Sequence, residues 1–263
     1  MLRPRMAGVN GFKLGLPPSL GRDPSWALAR ELAALLDRAG FSMMVPHRTY
    51  EELEAQLASG AVDVAWCPPI ACARIEAAGG MVLLRGVRND ERTYHSAIVI
   101  RAKDSFDLDT IVRGAFRPRA AWVDRSSVGG HLLARAHLRR LGVDLERAFL
   151  QQQMLGSYAA CLDALLAYET DLTALFVRRR GLEAEWGPRV RRLKALAFTE
   201  EVPNDGVVLS PALPPARAAL LREKLASVLA IPALRAQLTA MFHVDDFDEP
   251  PPGTYASVLK LCE

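Results

Sequence analysis

The sequence has few cysteines and no long apolar run. Its four cysteines, Cys67, Cys72, Cys161 and Cys262, contain no C-x-x-C pair, so they indicate neither a disulfide framework nor a zinc site. No apolar stretch approaches the roughly 20 residues of a transmembrane helix. The N-terminal segment lacks both the apolar core and the cleavage site of a signal peptide. We therefore expect a cytoplasmic protein, or a periplasmic one whose export signal is missing from this sequence.

The motifs of common catalytic and cofactor sites are also missing. The chain has no G-x-S-x-G, H-E-x-x-H, Walker or G-x-G-x-x-G motif. His131 and His137 are six residues apart, so on one helix they would point in different directions. The net charge of +3 is small and forms no basic stripe, and the acidic segment 245–249 lacks EF-hand spacing, which predicts a solvated turn. We expect no catalytic residue, metal, cofactor or nucleic-acid partner, and we expect a monomer.

Short apolar runs alternate with helical patterns along nearly the whole chain, which predicts an α/β fold. Residues 13–16 form the first predicted strand, and apolar positions spaced by about 3.6 residues predict a helix from Ser25 to about Ala39. Thr49, followed three residues later by Glu52, predicts a helix that continues through Leu57. Further strands are predicted at 41–45, 62–66, 81–87, 97–101, 120–123, 149–154, 171–177, 190–198 and 206–209, and C-terminal helices at 215–229, 232–242 and 255–261.

These elements divide into two α/β units of similar layout. Residues 1–100 together with 205–263 are predicted to form lobe 1, and residues 101–204 to form lobe 2, each a mixed sheet flanked by helices. Two hinge crossings, near Arg101 and near Asn204, would join the lobes. A cleft between two lobes is a preferred place for a small ligand, and hinge closure over that ligand is the motion such an architecture allows.

One segment, Trp122–Gly130, predicts a strand, a turn and a helix start. Ser126 and Ser127 would place hydroxyls and free backbone N–H groups at the positive end of the helix dipole, which suits an oxyanion. Gly129 would let a ligand approach the backbone closely. Ordinary N-capping by either serine would require no ligand. A second start of the same kind, Gly156–Tyr158, opens the following helix and favours binding.

A series of short motifs runs in order from about Leu14 to Val258. They are Tyr50–Leu53, Ala61–Pro69, Arg92–Ser96, Ile98–Arg101, Asp104-Ser105, Asp124–Gly130, Gly156–Tyr158, Asp171, Val202–Asp205, and Phe247 with Tyr255. In this order the chain resembles the phosphate, phosphite and phosphonate substrate-binding proteins of ABC transporters. That resemblance implies the two-lobed type II periplasmic-binding-protein fold.

The resemblance also implies a set of ligand-binding residues. Hydroxyls would come from lobe 1 and anion-holding groups from lobe 2, with Asp205 either contacting the ligand or shaping a crossing. The histidine that the family usually has after the Gly-Ser pair is Tyr158 here. Leu175–Val177 and then Arg178 stand where aminoalkylphosphonate binders carry a carboxylate, which disfavours a 2-aminoethylphosphonate-like ligand. The full set is Tyr50, Tyr94, Ser126, Ser127, the N–H of Val128, Gly129, Ser157, Tyr158 and Asp205.

The expected function is therefore non-catalytic binding of a small anionic ligand, with a phosphonate-like, phosphate-like or carboxylate group, in the interlobe cleft. An exported form would deliver the ligand to an ABC permease, whereas a cytosolic form would act as a sensor on a signalling partner. One alternative is a cytosolic enzyme of the same fold, similar to the chorismate dehydratase-like proteins of the menaquinone pathway. Another is a binding domain that serves only as an interaction module.

Overall fold

The structure is a computed structural model that describes residues 11–18, 33, 36–37, 39–41 and 43–261, with only the backbone for 43–46. The predicted helix from Ser25 to about Ala39 lies mostly outside the described residues, and Cys262 lies outside them. The chain divides into two compact units, each described here by itself. Unit 1 contains residues 1–90 and 205–254, and unit 2 contains residues 91–204 and 255–263.

This division differs from the predicted lobes in two places. The strand that includes residues 97–101 was expected to end lobe 1, but it belongs to unit 2 because it pairs along its length with two other strands of that unit, for example Ala97 with Leu175 and Phe198. The C-terminal residues 255–263 also belong to unit 2. There the hydroxyl of Tyr255 donates to the carbonyl oxygen of Asn204 at 2.7 Å. The chain therefore passes between the units three times rather than twice.

Unit 1 contains a six-stranded mixed sheet with helices around it. Its strands are β1 (Lys13–Leu16), β2 (Met43–Pro46), β3 (Val64–Cys67), β4 (Met81–Val87), β11 (Gly206–Leu209) and β12 (Asp246–Asp248), in the order β12-β4-β11-β3-β1-β2. Its described helices of regular α type are α1 (Tyr50–Ala58), α2 (Pro69–Ala77), α7 (Pro215–Leu229) and α8 (Pro232–Phe242). Trp66 and Phe242 stack in the core of this unit with ring centroids 4.5 Å apart.

Unit 2 contains a second six-stranded sheet. Its strands are β5 (Thr93–Arg101), β6 (Arg119–Trp122), β7 (Gln151–Met154), β8 (Leu172–Val177), β9 (Leu193–Phe198) and β10 (Val202–Pro203), in the order β10-β5-β8-β6-β7, with β9 also on β5. Its helices are α3 (Leu108–Val112), a π-helical turn (Val128–Leu132) that continues into α4 (Leu133–Arg140), α5 (Tyr158–Leu166), α6 (Leu182–Trp186), and 3₁₀ turns at Pro188–Arg192 and Ala256–Leu261.

The two faces of the unit 2 sheet bury two separate cores. Successive side chains of a strand point to opposite faces, so on β5 Ile98 and Ile100 pack into one core with Trp122. Ala97 and Val99 pack into the other. Both faces are covered, which explains the nearly continuous apolar run of β5.

The acidic segment 245–249 is not the predicted solvated turn. Residues 246–248 form β12, which pairs with β4 in the register Phe247↔Gly86. The carboxylate of Asp248 accepts two hydrogen bonds from Arg85, at 3.0 and 2.8 Å. Two charges of this segment are therefore used in ion pairs on the strand, Asp248 with Arg85 and Asp246 with Arg235. Within the described residues, no single helix has the length and apolar content to cross a bilayer; α7 and α8 reach them only together, across a bend of 99°.

Candidate functional site

The candidate site residues that the sequence indicated in unit 2 lie at one edge of its sheet. Strands β7 and β8 both run parallel to β6, so the carboxyl ends of all three strands meet at the same edge. Strand β5 is antiparallel to β8, with His95 opposite Val177, so β5 begins at that edge. Tyr94, the turn after β6, the turn after β7 and the end of β8 are brought together in this way. We call this the carboxyl edge of unit 2; such edges are the usual ligand sites of open α/β sheets.

The turn after β6 contains backbone N–H groups at the start of a helix. Ser127 caps the following helix, and its Oγ accepts a hydrogen bond from the N–H of Gly130 at 3.1 Å. The first N–H groups of a helix have no partner inside the helix. Those of Val128 and Gly129 have no acceptor among the described residues, and neither does the hydroxyl hydrogen of Ser127. The helix dipole adds positive partial charge at this point.

The helix starts with a π-helical turn, in which the N–H of Leu133 donates to the carbonyl oxygen of Val128. Such turns are rare and occur often at functional sites. Apolar periodicity did not predict this turn, because one wide turn shifts the pattern by only a single residue.

Ser126 is used differently from Ser127. Its hydroxyl and its backbone N–H both donate to Oδ1 of Asp124, each at 2.8 Å. The hydroxyl proton of Ser126 is therefore directed at a carboxylate in this structure. The expectation that Ser126 donates to an anion stays a prediction, and it requires the hydroxyl to rotate away from Asp124.

Gly129 lies in direct contact with the aromatic residues of the edge. A Cβ atom at this position would be 2.6 Å from Oη of Tyr158, 3.1 Å from Cε2 of Tyr94 and 3.3 Å from Cβ of Phe176. The backbone conformation of Gly129 is ordinary, so space is the reason for the glycine. Its carbonyl oxygen accepts a 2.6 Å hydrogen bond from the hydroxyl of Ser96, a fully buried residue of β5.

The turn after β7 has a similar cap but greater exposure. Ser157 is the N-cap of α5, and its Oγ accepts from the N–H of Ala160 at 3.1 Å. Gly156 adopts φ +80° and donates its N–H to Val123 at 2.8 Å, which ties this turn to the end of β6. Ser157 is exposed, whereas Tyr158 is half-buried and faces Gly129.

Tyr50 and Asp205 belong to unit 1. Tyr50 is the first residue of α1, the helix that follows β2, and Asp205 precedes β11. Both lie at the carboxyl edge of the parallel strands β1, β2 and β3, because β11 is antiparallel to β3 with Gly206 opposite Cys67. The carboxylate of Asp205 is paired with Arg88 at 2.9 Å. Tyr94 was assigned to lobe 1 from the sequence but belongs to unit 2, since it lies on β5.

Three residues of the edge were missed as site residues. Ser96 supports Gly129, and Trp186 and Glu185 of α6 pack at the end of β8. The indole N–H of Trp186 donates to the carbonyl oxygen of Phe176 at 2.8 Å, and Glu185 pairs with Arg178 at 2.7 Å. The run Arg178–Arg180 concealed this pair, because consecutive arginines are usually solvated.

His131, a buried titratable residue near the turn, is held by a hydrogen bond to the backbone. Burial lowers the pKa of His131 to about 4, and its Nδ1–H donates to the carbonyl oxygen of Arg125 at 3.1 Å. The ring is therefore neutral at neutral pH and serves to hold the turn. In the part of the chain that the structure describes, no group of three or more His, Cys, Asp or Glu side chains could hold a metal ion.

Solved structures share the fold. XAC2383 from Xanthomonas citri, solved bound to ATP, is 20% identical with a TM-score of 0.74, and the match covers 96% of this chain and 95% of that one. PhnD1 from Prochlorococcus marinus, solved with methylphosphonate, is 16% identical with a TM-score of 0.72, covering 96% and 97%. A binding protein of an ABC phosphonate transporter from Pseudomonas aeruginosa is also 16% identical with a TM-score of 0.72, covering 95% and 84%. The expected type II periplasmic-binding-protein fold is confirmed.

The family comparison is more specific than the fold. No curated protein sequence matches the chain. The model of the periplasmic phosphonate substrate-binding proteins of ABC transporters matches residues 27–254. Its members bind substrate without catalysis, consistent with the expectation that this chain is not an enzyme. The family is described as periplasmic, so it does not support the expected cytoplasmic location of this chain. The match extends over most of the chain, and the chain therefore belongs to the family of periplasmic phosphonate substrate-binding proteins of ABC transporters.

Proposed function

We infer that this protein binds a small ligand through a phosphonate or phosphate group, and that the group is held by the Ser127–Gly129 turn of unit 2. One observation carries the proposal. Two consecutive backbone N–H groups and one hydroxyl hydrogen at a helix start have no acceptor among the described residues. A tetrahedral oxyanion offers three oxygens, enough to accept all three donors at once.

Several neighbouring groups would support the same ligand. Tyr94 and Tyr158 lie against Gly129 and carry hydroxyls, and Ser157 lies at the next helix start along the edge. Hydrogen bonds to charged groups contribute about 1.5–3 kcal/mol each. Four or five such bonds, after ordering costs, are compatible with micromolar binding, which corresponds to about −8 kcal/mol. Donation by Tyr50, and a contact from Asp205, stay predictions.

We propose a role in transport because of the family to which the chain belongs. A periplasmic location and delivery of the ligand to an ABC permease are the roles that the family description supports. Methylphosphonate, the ligand of PhnD1, and ATP, the ligand of XAC2383, are the first probes because both carry the oxyanion that the turn would hold.

The test is calorimetric titration of the wild type and Ser127→Ala with methylphosphonate, inorganic phosphate and ATP. We expect at least one probe to bind, and Ser127→Ala to weaken it by about 10- to 100-fold, since one hydrogen bond to a charged group is lost. Ser127→Ala also removes a helix cap, so a modest fall in Tm is expected.

The matched control is Asp107→Ala. Asp107 caps α3 in the same unit and accepts from the N–H of Thr110 at 2.8 Å, but α3 follows the end of β5 at Arg101, the opposite edge of the sheet. The control should lower Tm and leave affinity unchanged. Equal affinity of the wild type and Ser127→Ala for every probe that binds would remove the turn from the proposed site.

A further inference from the structure

Three aromatic side chains form a packed surface at the end of β8. Tyr158, Phe176 and Trp186 have ring centroids 4.7–5.3 Å apart in every pairing. All three are half-buried, and Phe176 is the one residue of β8 that is not fully buried. We call these three residues the aromatic wall. Phe176 is thus a half-buried aromatic residue on an otherwise buried strand, at the carboxyl edge where ligands of open α/β sheets usually bind.

The wall adjoins the turn that would hold the anion. The Cα of Gly129 faces Oη of Tyr158 and Cβ of Phe176, which would lie only 2.6 and 3.3 Å from a Cβ at that position. The helix start at Val128 and Gly129 therefore lies next to the rings of the aromatic wall in unit 2. A ligand whose oxyanion occupies the turn would bring its substituent close to these rings.

Charges behind the wall are already paired. Arg178 and Glu185 are 2.7 Å apart, with side chains only 8% and 11% exposed. The guanidinium of Arg178 lies over the ring of Phe176, 5.0 Å from its centroid. The carboxylate of Glu185 is therefore already paired with Arg178, and the guanidinium of Arg178 covers one face of the ring of Phe176. A ligand ammonium group could therefore not pair with a free carboxylate at Glu185. It could also not bind the face of Phe176 that Arg178 already covers.

We propose that the aromatic wall selects ligands whose oxyanion carries an uncharged aromatic substituent. This rests on the proposed function, since the wall acts only on a ligand whose oxyanion is held by the turn. The substituent packs against Phe176 and Trp186 in the edge-to-face or offset arrangements that aromatic rings prefer. Burial of apolar surface on both partners then adds to the binding of the oxyanion.

The test uses three phosphonates that differ only in the substituent: methylphosphonate, phenylphosphonate and 2-aminoethylphosphonate. Calorimetric titration of the wild type should give phenylphosphonate an affinity about tenfold or more above methylphosphonate, with 2-aminoethylphosphonate no tighter than methylphosphonate. In Trp186→Leu the preference for the phenyl group should fall to about twofold or less.

A second variant separates recognition from folding. Trp186→Phe retains a ring but loses the N–H that bonds to Phe176, and it should keep most of the phenyl preference. Equal binding of methyl- and phenylphosphonate by the wild type overturns the inference and leaves the proposed function intact, as does tightest binding of 2-aminoethylphosphonate. A phenyl preference that survives in Trp186→Leu with native melting behaviour also overturns it. Absence of binding by all three phosphonates overturns the inference, and the proposed function fails with it only if inorganic phosphate and ATP also do not bind.

Discussion

The hydroxyl of Ser96 donates a 2.6 Å hydrogen bond to the carbonyl oxygen of Gly129. Both residues are buried, and the backbone N–H of Ser96 donates in turn to Oγ1 of Thr199 at 2.9 Å. Strand β5 therefore holds the turn that contains the N–H groups of Val128 and Gly129. Because a peptide group is planar, the held carbonyl of Gly129 also fixes the direction of the N–H of Gly130, which donates to Oγ of Ser127.

Replacing Ser96 by alanine should damage both stability and binding. The carbonyl of Gly129 would be left buried without its partner, which costs about 1–3 kcal/mol. We expect the free energy of unfolding, measured in urea, to fall by that amount, and the affinity for the best phosphonate probe to fall about three- to tenfold. The control is Ser227→Ala, whose hydroxyl donates to Glu223 on an exposed face of α7. An effect no larger than the control's would show that Ser96 does not support the turn.

Gly129 should tolerate no side chain. A Cβ would lie 2.6 Å from Oη of Tyr158, so Gly129→Ala must displace that tyrosine or the turn. We expect the affinity for the best phosphonate probe to fall more than tenfold and Tm to drop by several degrees.

The double variant Gly129→Ala/Tyr158→Phe tests the cause. It removes the oxygen that the new Cβ would meet, while the 3.1 Å approach to Tyr94 remains. Its Tm should therefore be higher than that expected from the sum of the two single changes. If the Tm changes of the two single variants simply add in the double variant, the side chain at position 129 does not collide with Oη of Tyr158.

The α/β alternation, many strand limits and the family were accessible from the sequence. Met81–Val87, Gly206–Leu209 and both Pro-initiated C-terminal helices have their predicted bounds, because proline at a helix start and apolar strands flanked by turns are strong local signals. Gly129 and Tyr158, predicted separately, do come into contact.

Tertiary pairing explains what the sequence could not predict. The place of β5 depends on its pairing with β8 and β9, which are more than 70 residues away along the chain. Trp186 lies on a five-residue helix, too short for a periodic pattern, and reaches Phe176 only through the fold. Ser126 and Ser127 are adjacent and chemically alike, yet only the structure shows that Ser126 is directed at Asp124.

The buried pair Arg178–Glu185 should contribute strongly to the position of α6. Its side chains are 8% and 11% exposed, and removal of one member of a buried pair typically costs about 3–5 kcal/mol. Glu185→Gln should therefore lower the urea midpoint markedly. Glu183→Gln is the control, because the same short helix carries Glu183 in an exposed pair with Arg191 and exposed pairs contribute little. Similar urea midpoints for the two variants would contradict the claim that the buried pair Arg178–Glu185 holds α6 in place.

Asp171 should make stability depend on acid pH. Its side chain, 14% exposed, accepts hydrogen bonds from Arg119 and Arg101, and chiefly the bond from Arg119 lowers its pKa to about 2. An aspartate in the unfolded chain has a pKa of about 3.9.

The unfolded chain therefore takes up a proton at a higher pH than the native protein does. The stabilisation from Asp171 is fully present above about pH 5 and is lost as the pH falls through about 2. A shift of this size corresponds to about 2–3 kcal/mol. Asp171→Asn should lower the free energy of unfolding at pH 6, and its difference from the wild type should shrink steadily from pH 5 to pH 2.5. Asp109→Asn, in an exposed pair with Arg113, should leave the profile unchanged. A difference between Asp171→Asn and the wild type that stays constant over this range would mean that the arginines do not stabilise the carboxylate of Asp171 specifically.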